Sequence, residues 1–124
     1  MNIKPRTNIG SSLWARYFKE LTGTSALEYE YGFVSYKALD NGVFHIEHVY
    51  IAPQHRSSGK LMEMLEDVKV VAIDLKCSVL MTSVDLSTRT CGQSLGMQLN
   101  IGFIPYLAKD GMIWLRMELK VGGG

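Results

Sequence analysis

The sequence predicts an α/β (α+β) protein built on one mixed β-sheet with helices on both faces. Three observations carry this expectation. Trp14, Tyr17, Phe18 and Leu21 recur at the i, i+3, i+4, i+7 spacing of a helix face. Two stretches of alternating β-formers fold back at Asn41-Gly42 and at Asp110-Gly111, both strong hairpin signals. Between the hairpins an apolar strand, an amphipathic segment and a second apolar strand follow one another. That order suggests a right-handed βαβ unit with residues 43–51 and 77–84 parallel.

Each element has a local reason. Ser11 or Ser12 can cap the first helix and Gly23 fits its end. Its aromatic stripe is expected to pack on the sheet. Residues 27–38 alternate β-formers, turn through LDNG and return as VFHIEHVYI, residues 43–51. After a polar loop, Leu61, Met64, Leu65, Val68, Ala72 and Leu75 fall on one helix face, with acids and lysine largely on the other. CSVLMTSV, residues 77–84, reads as a buried strand. The following stretch is polar, then weakly helical to about Asn100, and GFIPYLAKDGMIWLRMEL closes the chain as the second hairpin.

Composition bounds the function. The chain has 124 residues, 47% hydrophobic and 20% charged, which suits one domain, here residues 1–121, with 122–124 a glycine tail. The net charge of +1, with basic residues scattered among acids, gives no footprint for nucleic acid. No apolar run is long enough to span a bilayer and no charged-then-apolar leader opens the sequence, so cytoplasmic residence is expected and a membrane partner is not. Cys77 and Cys91 form no CxxC pair; in the cytosol both are expected reduced, with Cys77 inside a core strand.

The chemistry points to the loop in YIAPQHRSSGKLMEML, residues 50–65. Arg56, Ser57, Ser58, Gly59 and Lys60 stand where a strand hands over to a helix. Unpartnered N–H groups and the helix dipole favour an anion there, and small residues let it approach the backbone. The same residues would also serve as an ordinary turn. Walker A is excluded because Gln54 and Leu61 occupy its glycine and Ser/Thr places, and GxGxxG is absent. On the preceding strand His45 and Glu47 share one face by alternation and His48 takes the other. That division, with no HExxH, argues against a metal site.

The span FHIEHVYIAPQHRSSGKLMEML resembles motif A of the GCN5-related N-acetyltransferases, the GNAT family. In that motif a strand and a proline lead into R/Q-x-x-G-x-G/A and a long helix. Arg56 matches its first position and Gly59 its first glycine; NIGFIPY at 100–106 is similar to the family's Leu-Gly-Phe step. The likeness covers roughly residues 30–119 and is to a short, phage-type member with a shortened N-terminal part. It implies a GNAT-like mixed sheet and acetyl-CoA as co-substrate, its pyrophosphate held by Arg56, Ser57, Ser58, Gly59 and Lys60. The main chain at Val49 and Ile51 would hold the pantetheine arm and polarise the acetyl carbonyl. Glu47, with His45 second, would take the proton from an acceptor amine.

Departures from the pattern are specific. Leu61 replaces a Gly or Ala, and Gln98 replaces the tyrosine four residues before the Gly-Phe step, which leaves Tyr106, Cys91 or solvent to protonate the leaving thiolate. Two functions follow. One is an N-acetyltransferase acting on a primary amine, in a small molecule or on a protein lysine or N-terminus, by direct attack in a ternary complex. The other is a catalytically degenerate GNAT-fold binding protein. Exposed sheet edges further suggest a homodimer.

Overall fold

The computed structural model describes residues 12–56 and 59–120. In chain order they form α1 (Leu13–Thr22), β1 (Ser25–Tyr29), β2 (Gly32–Ala38), β3 (Val43–Ile51), α2 (Lys60–Asp74), β4 (Val79–Asp85), α3 (Cys91–Asn100), β5 (Ile104–Lys109) and β6 (Met112–Glu118). The strands make one mixed sheet in the order β1-β2-β3-β4-β6-β5. β3 and β4 pair in parallel through Val43↔Val79, Phe44↔Leu80 and His45↔Met81, as the βαβ pattern requires. By its contacts the chain gathers into two compact units. One takes residues up to Lys37 with Ile46–Val68; the other takes Ala38–His45 with residues from Lys69 onward.

In the first unit Ser12 caps α1, its hydroxyl accepting from Ala15 N at 2.9 Å, and Gly23 ends the helix at φ 78°. Ser11, the other candidate cap, lies outside the described residues. The aromatic stripe is only partly covered. Ala15 is buried and Trp14 stacks on Phe18 at 5.2 Å, but Tyr17 and Leu21 remain 63% and 65% exposed. Periodicity located the helix, while the line that packs runs through Ala15 and Phe18, to one side of the stripe's centre.

Residues 27–38, read as a single strand, are two. A two-residue turn at Glu30–Tyr31 reverses the chain, and β1 pairs antiparallel with β2 from Ser25↔Tyr36 to Tyr29↔Gly32. Directly opposed residues share a face. Glu28 with Phe33 and Ala26 with Ser35 therefore face α1, where Trp14 meets Phe33 at 5.6 Å. Leu27, Tyr29, Val34 and Tyr36 take the opposite face, where the Tyr29 hydroxyl donates to Asp67 Oδ2 of α2 at 2.8 Å. Met64, Leu65 and Val68 supply the buried side of α2. Burial raises the Tyr36 phenol above its ordinary value, against the opposing effect of a hydrogen bond with Ser25.

In the second unit the core is Phe44, Ala72, Leu80, Val84, Phe103 and Leu115. Leu80, Thr82 and Val84 alternate inward along β4. The first hairpin turn brings Gly42 to φ 82°, with Leu39 N donating to Val43 O at 2.8 Å, a three-residue loop with a left-handed last residue. The second turn has Asp110 at φ 55° and Gly111 at φ 76°, the paired positive values of a type I′ turn. Cys77 lies in the turn before β4 rather than within the strand; it is buried, and desolvation raises its thiol pKa. No helix among the described residues is long and apolar enough to cross a membrane.

Candidate functional site

The strand-to-helix connection lies wholly within the first unit. β3 ends at Ile51, Ala52 N donates to Tyr31 O at 2.7 Å, and Pro53–His55 makes a single 3-10 turn. Arg56 follows, its Nε donating to Ile51 O at 2.7 Å and its guanidinium 5.7 Å from the centre of the Tyr50 ring. Among the described residues this one hydrogen bond fixes the guanidinium against the end of β3 through Nε, so that its terminal nitrogens can serve an anion. Gly59 has φ +82°, a conformation that L side chains rarely adopt, and a Cβ there would meet nothing within 4 Å. The glycine is required by its dihedral angle, and the space beside it is open. Ser57 and Ser58 lie outside the described residues.

α2 begins at Lys60, and Glu63 N closes its first turn on Gly59 O at 3.2 Å. The N–H groups just before that bond have no partner within the helix and are oriented for an acceptor. Lys60 itself turns toward the hairpin. Its Nζ lies 3.7 Å from Glu63 Oε1 and 5.1 Å from the centre of the Tyr31 ring. Tyr31 is the hub here: buried, its hydroxyl 3.4 Å from Glu63 Oε1 and its ring beside those of Tyr29 and His55. Nothing in the sequence marked Tyr31 for this role, because it sits in a turn without the usual turn residues.

Glu47 lies in the same unit. Its Oε1 accepts from the buried Thr24 hydroxyl at 3.0 Å and its Oε2 lies 3.9 Å from Lys37 Nζ. The carboxylate is held from two sides and stays partly exposed, at 23% of its side chain. Further along β3, His48, Val49 and Tyr50 are exposed in succession, which breaks the alternation of buried and half-buried residues from Phe44 to Glu47. The side-chain partners give the cause. Phe33 and Lys37 stand four apart on β2 and share a face. Lys37 meets Glu47 while Phe33 stacks on Tyr50, at 5.9 Å. Glu47 and Tyr50 are three apart and would oppose each other on a regular strand, so β3 slips by one residue between them, as at a bulge. Gly32 stands beside this slip: a Cβ on it would lie 1.9 Å from Tyr50 O.

Of the sequence-derived candidates, the first unit thus contains Glu47, Val49, Ile51, Arg56, Gly59 and Lys60. His45 and Tyr106 belong to the second unit. The His45 ring lies 5.9 Å from that of Trp114, and the Tyr106 hydroxyl donates to Met81 Sδ at 3.1 Å from the irregular step between Pro105 and Leu107. Thr24, Lys37, Gly32 and Tyr50 were not foreseen. They act through cross-strand neighbours, and no local motif encodes those.

No protein-family model matches the sequence, and no curated protein does. Solved structures do match. A GNAT family acetyltransferase from Elizabethkingia anophelis, with acetyl-CoA bound, superposes with TM-score 0.62 at 18% identity, over 94% of this chain and all of its own (100%). A candidate acyl-CoA N-acyltransferase from Klebsiella pneumoniae gives 0.67 at 13% identity, over 94% and 100%. A candidate GNAT-family acetyltransferase from Desulfovibrio desulfuricans gives 0.65 at 17% identity, over 77% of this chain and 68% of its own. The mixed six-stranded sheet with three helices is thus the fold of the GNAT acetyltransferases.

Proposed function

We propose that the chain is an acetyl-CoA-dependent N-acetyltransferase acting on a primary amine. The observation that carries this is the connection after β3. Arg56 is pinned to Ile51 O, Gly59 holds a left-handed conformation beside open space, and the first turn of α2 leaves N–H groups without a partner in the helix. These residues fit a pyrophosphate, with Arg56 and the backbone at Gly59 and Lys60 as its ligands and Ser57 and Ser58 as their neighbours. The irregular step in β3 supports a role for Val49 and Ile51, because a bulge releases backbone groups from the strand ladder. A released N–H at Val49 would polarise the acetyl carbonyl.

Glu47 is the proposed base. It takes a proton from the acceptor ammonium; the amine nitrogen then bonds to the acetyl carbon and the carbon–sulfur bond breaks. The nitrogen sheds its second proton as the amide forms; the departing thiolate takes up a proton from Tyr106, which that second proton restores, or from water, and leaves as CoA thiol. His45 remains the second choice of base. The acceptor is a small amine or a protein lysine or N-terminus. Both cysteines are free, which suits a reducing compartment such as the cytoplasm. β5 is exposed along its whole length, so a homodimer paired through that edge is proposed as well; a monomeric mass in ultracentrifugation would remove it.

The test is thiol release from acetyl-CoA across a panel of amines, with wild type and Glu47→Gln. Amine-dependent release that falls at least about a hundredfold in the variant is expected of a general base. Acetyl-CoA binding with no release for any amine would instead favour the degenerate binding protein, the reading to which Gln98 also points.

A further inference from the structure

On the α1 face of the first unit, Trp14, Glu28 and Phe33 line an open hollow of about 380 Å³, bordered by Tyr29 and Gly32, whose register places them on the other face. It is a shallow hollow, more open than enclosed, with a mostly apolar lining. Its construction follows from the hairpin register. Glu28 and Phe33 are directly opposed, so carboxylate and ring rise side by side. The Trp14 ring is tilted against Phe33 at 5.6 Å and 52°, stacks on Phe18, and stays 46% exposed. Gly32, opposite Tyr29, belongs by register to the other face and adds only main chain to the rim.

Its chemistry is one of aromatic faces beside one carboxylate. Among the described residues Glu28 accepts a hydrogen bond from the Ser12 hydroxyl at 2.8 Å and forms no ion pair. Lys37, the cation on the same face of β2, is engaged by Glu47. An aromatic face attracts a cation through its quadrupole, and a carboxylate next to it adds charge and hydrogen-bond acceptors. An uncharged apolar body would use the rings alone and an inorganic cation would use the carboxylate alone. An organic ammonium ion uses both.

We propose that this pocket binds an organic ammonium compound with an apolar or aromatic body, as the anchoring site for part of the amine acceptor. The role as an acceptor site rests on the acetyl-transfer reading; the binding does not. Phe33, which walls the pocket, also stacks on Tyr50, whose ring carries the Arg56 guanidinium. A ligand here therefore touches a side-chain series that ends at the anion loop.

The test uses the intrinsic fluorescence of Trp14 in a Trp114→Phe background, titrated without acetyl-CoA. Phenethylamine is the probe, and 2-phenylethanol is its uncharged counterpart. Saturable change with phenethylamine is expected, at least about tenfold tighter than with the alcohol and weakened about tenfold by Glu28→Gln. That substitution keeps an oxygen to accept from Ser12, so its folding is not in question. Equal response to amine and alcohol, no effect of Glu28→Gln, or no saturable response would each overturn the proposal. A second readout separates it from the enzyme reading. If an amine is acetylated, Glu28→Gln should raise KM for it and leave kcat in place; an unchanged KM removes the pocket and leaves the transferase. Amine binding with no turnover removes the transferase and leaves the pocket.

Discussion

The buried hydroxyl of Thr24 donates a 3.0 Å hydrogen bond to Oε1 of Glu47, joining the residue that precedes β1 to the middle of β3. The bond orients the carboxylate, and with Lys37 near Oε2 it leaves Glu47 little freedom to rotate. Thr24→Val keeps the shape and removes the donor. It should cost about 1 kcal/mol of stability and lower kcat, while the KM for acetyl-CoA stays within about twofold. Thr24→Ser should restore kcat. A Thr24→Val enzyme with wild-type kcat would show that Glu47 needs no such orientation.

Gly32 is the backbone position least open to substitution. A Cβ would lie 1.9 Å from Tyr50 O and 2.9 Å from Tyr50 C, both main-chain atoms that cannot swing aside. Gly32→Ala should therefore destabilise the chain by about 2 kcal/mol or more and displace the end of β3. Chemical denaturation measures this. A variant within about 0.5 kcal/mol of wild type would mean that β2 and β3 do not approach so closely in solution.

Asp85 gives a check on the second unit that does not involve catalysis. Ser87 N and Ser87 Oγ both donate to its Oδ1, at 2.9 Å and 2.7 Å, and together they hold its carboxyl below the usual value. A depressed folded pKa contributes stability that is present above the unfolded pKa and is lost as pH falls through the folded one. NMR titration should find Asp85 below an ordinary aspartate, and Ser87→Ala should move it part of the way back. The backbone donor, the larger cause, survives that change. An Asp85 that titrates normally in the wild type would contradict the turn geometry.

Much of the architecture was legible in the sequence because it is encoded locally. Asp110-Gly111 marked the second hairpin, Ser12, one of two candidate caps, and Gly23 bounded α1, and the strand–helix–strand pattern suggested the parallel pairing of β3 and β4. The Glu30–Tyr31 turn was missed because neither residue favours a turn; a close backbone approach at Gly32 and the partners of Tyr31 hold it instead. Arg56 and Gly59 could be found from a short motif. Thr24 and Lys37 could not, since their bearing on Glu47 depends on strand neighbours far apart in sequence. The slip between Glu47 and Tyr50 was also hidden, because it is defined only by which residues of β2 they meet.

The most direct test of the anion loop is calorimetric titration of the protein with acetyl-CoA, beside Gly59→Glu and Gly59→Asn. Asparagine tolerates the left-handed conformation at φ +82°, whereas glutamate adds strain and a negative charge in the space where pyrophosphate would sit. Micromolar binding to the wild type, largely kept by Gly59→Asn and lost by Gly59→Glu, is the expected result. Absence of binding by the wild type, or equal binding by Gly59→Glu, would mean that the connection between β3 and α2 is a turn and not an anion site.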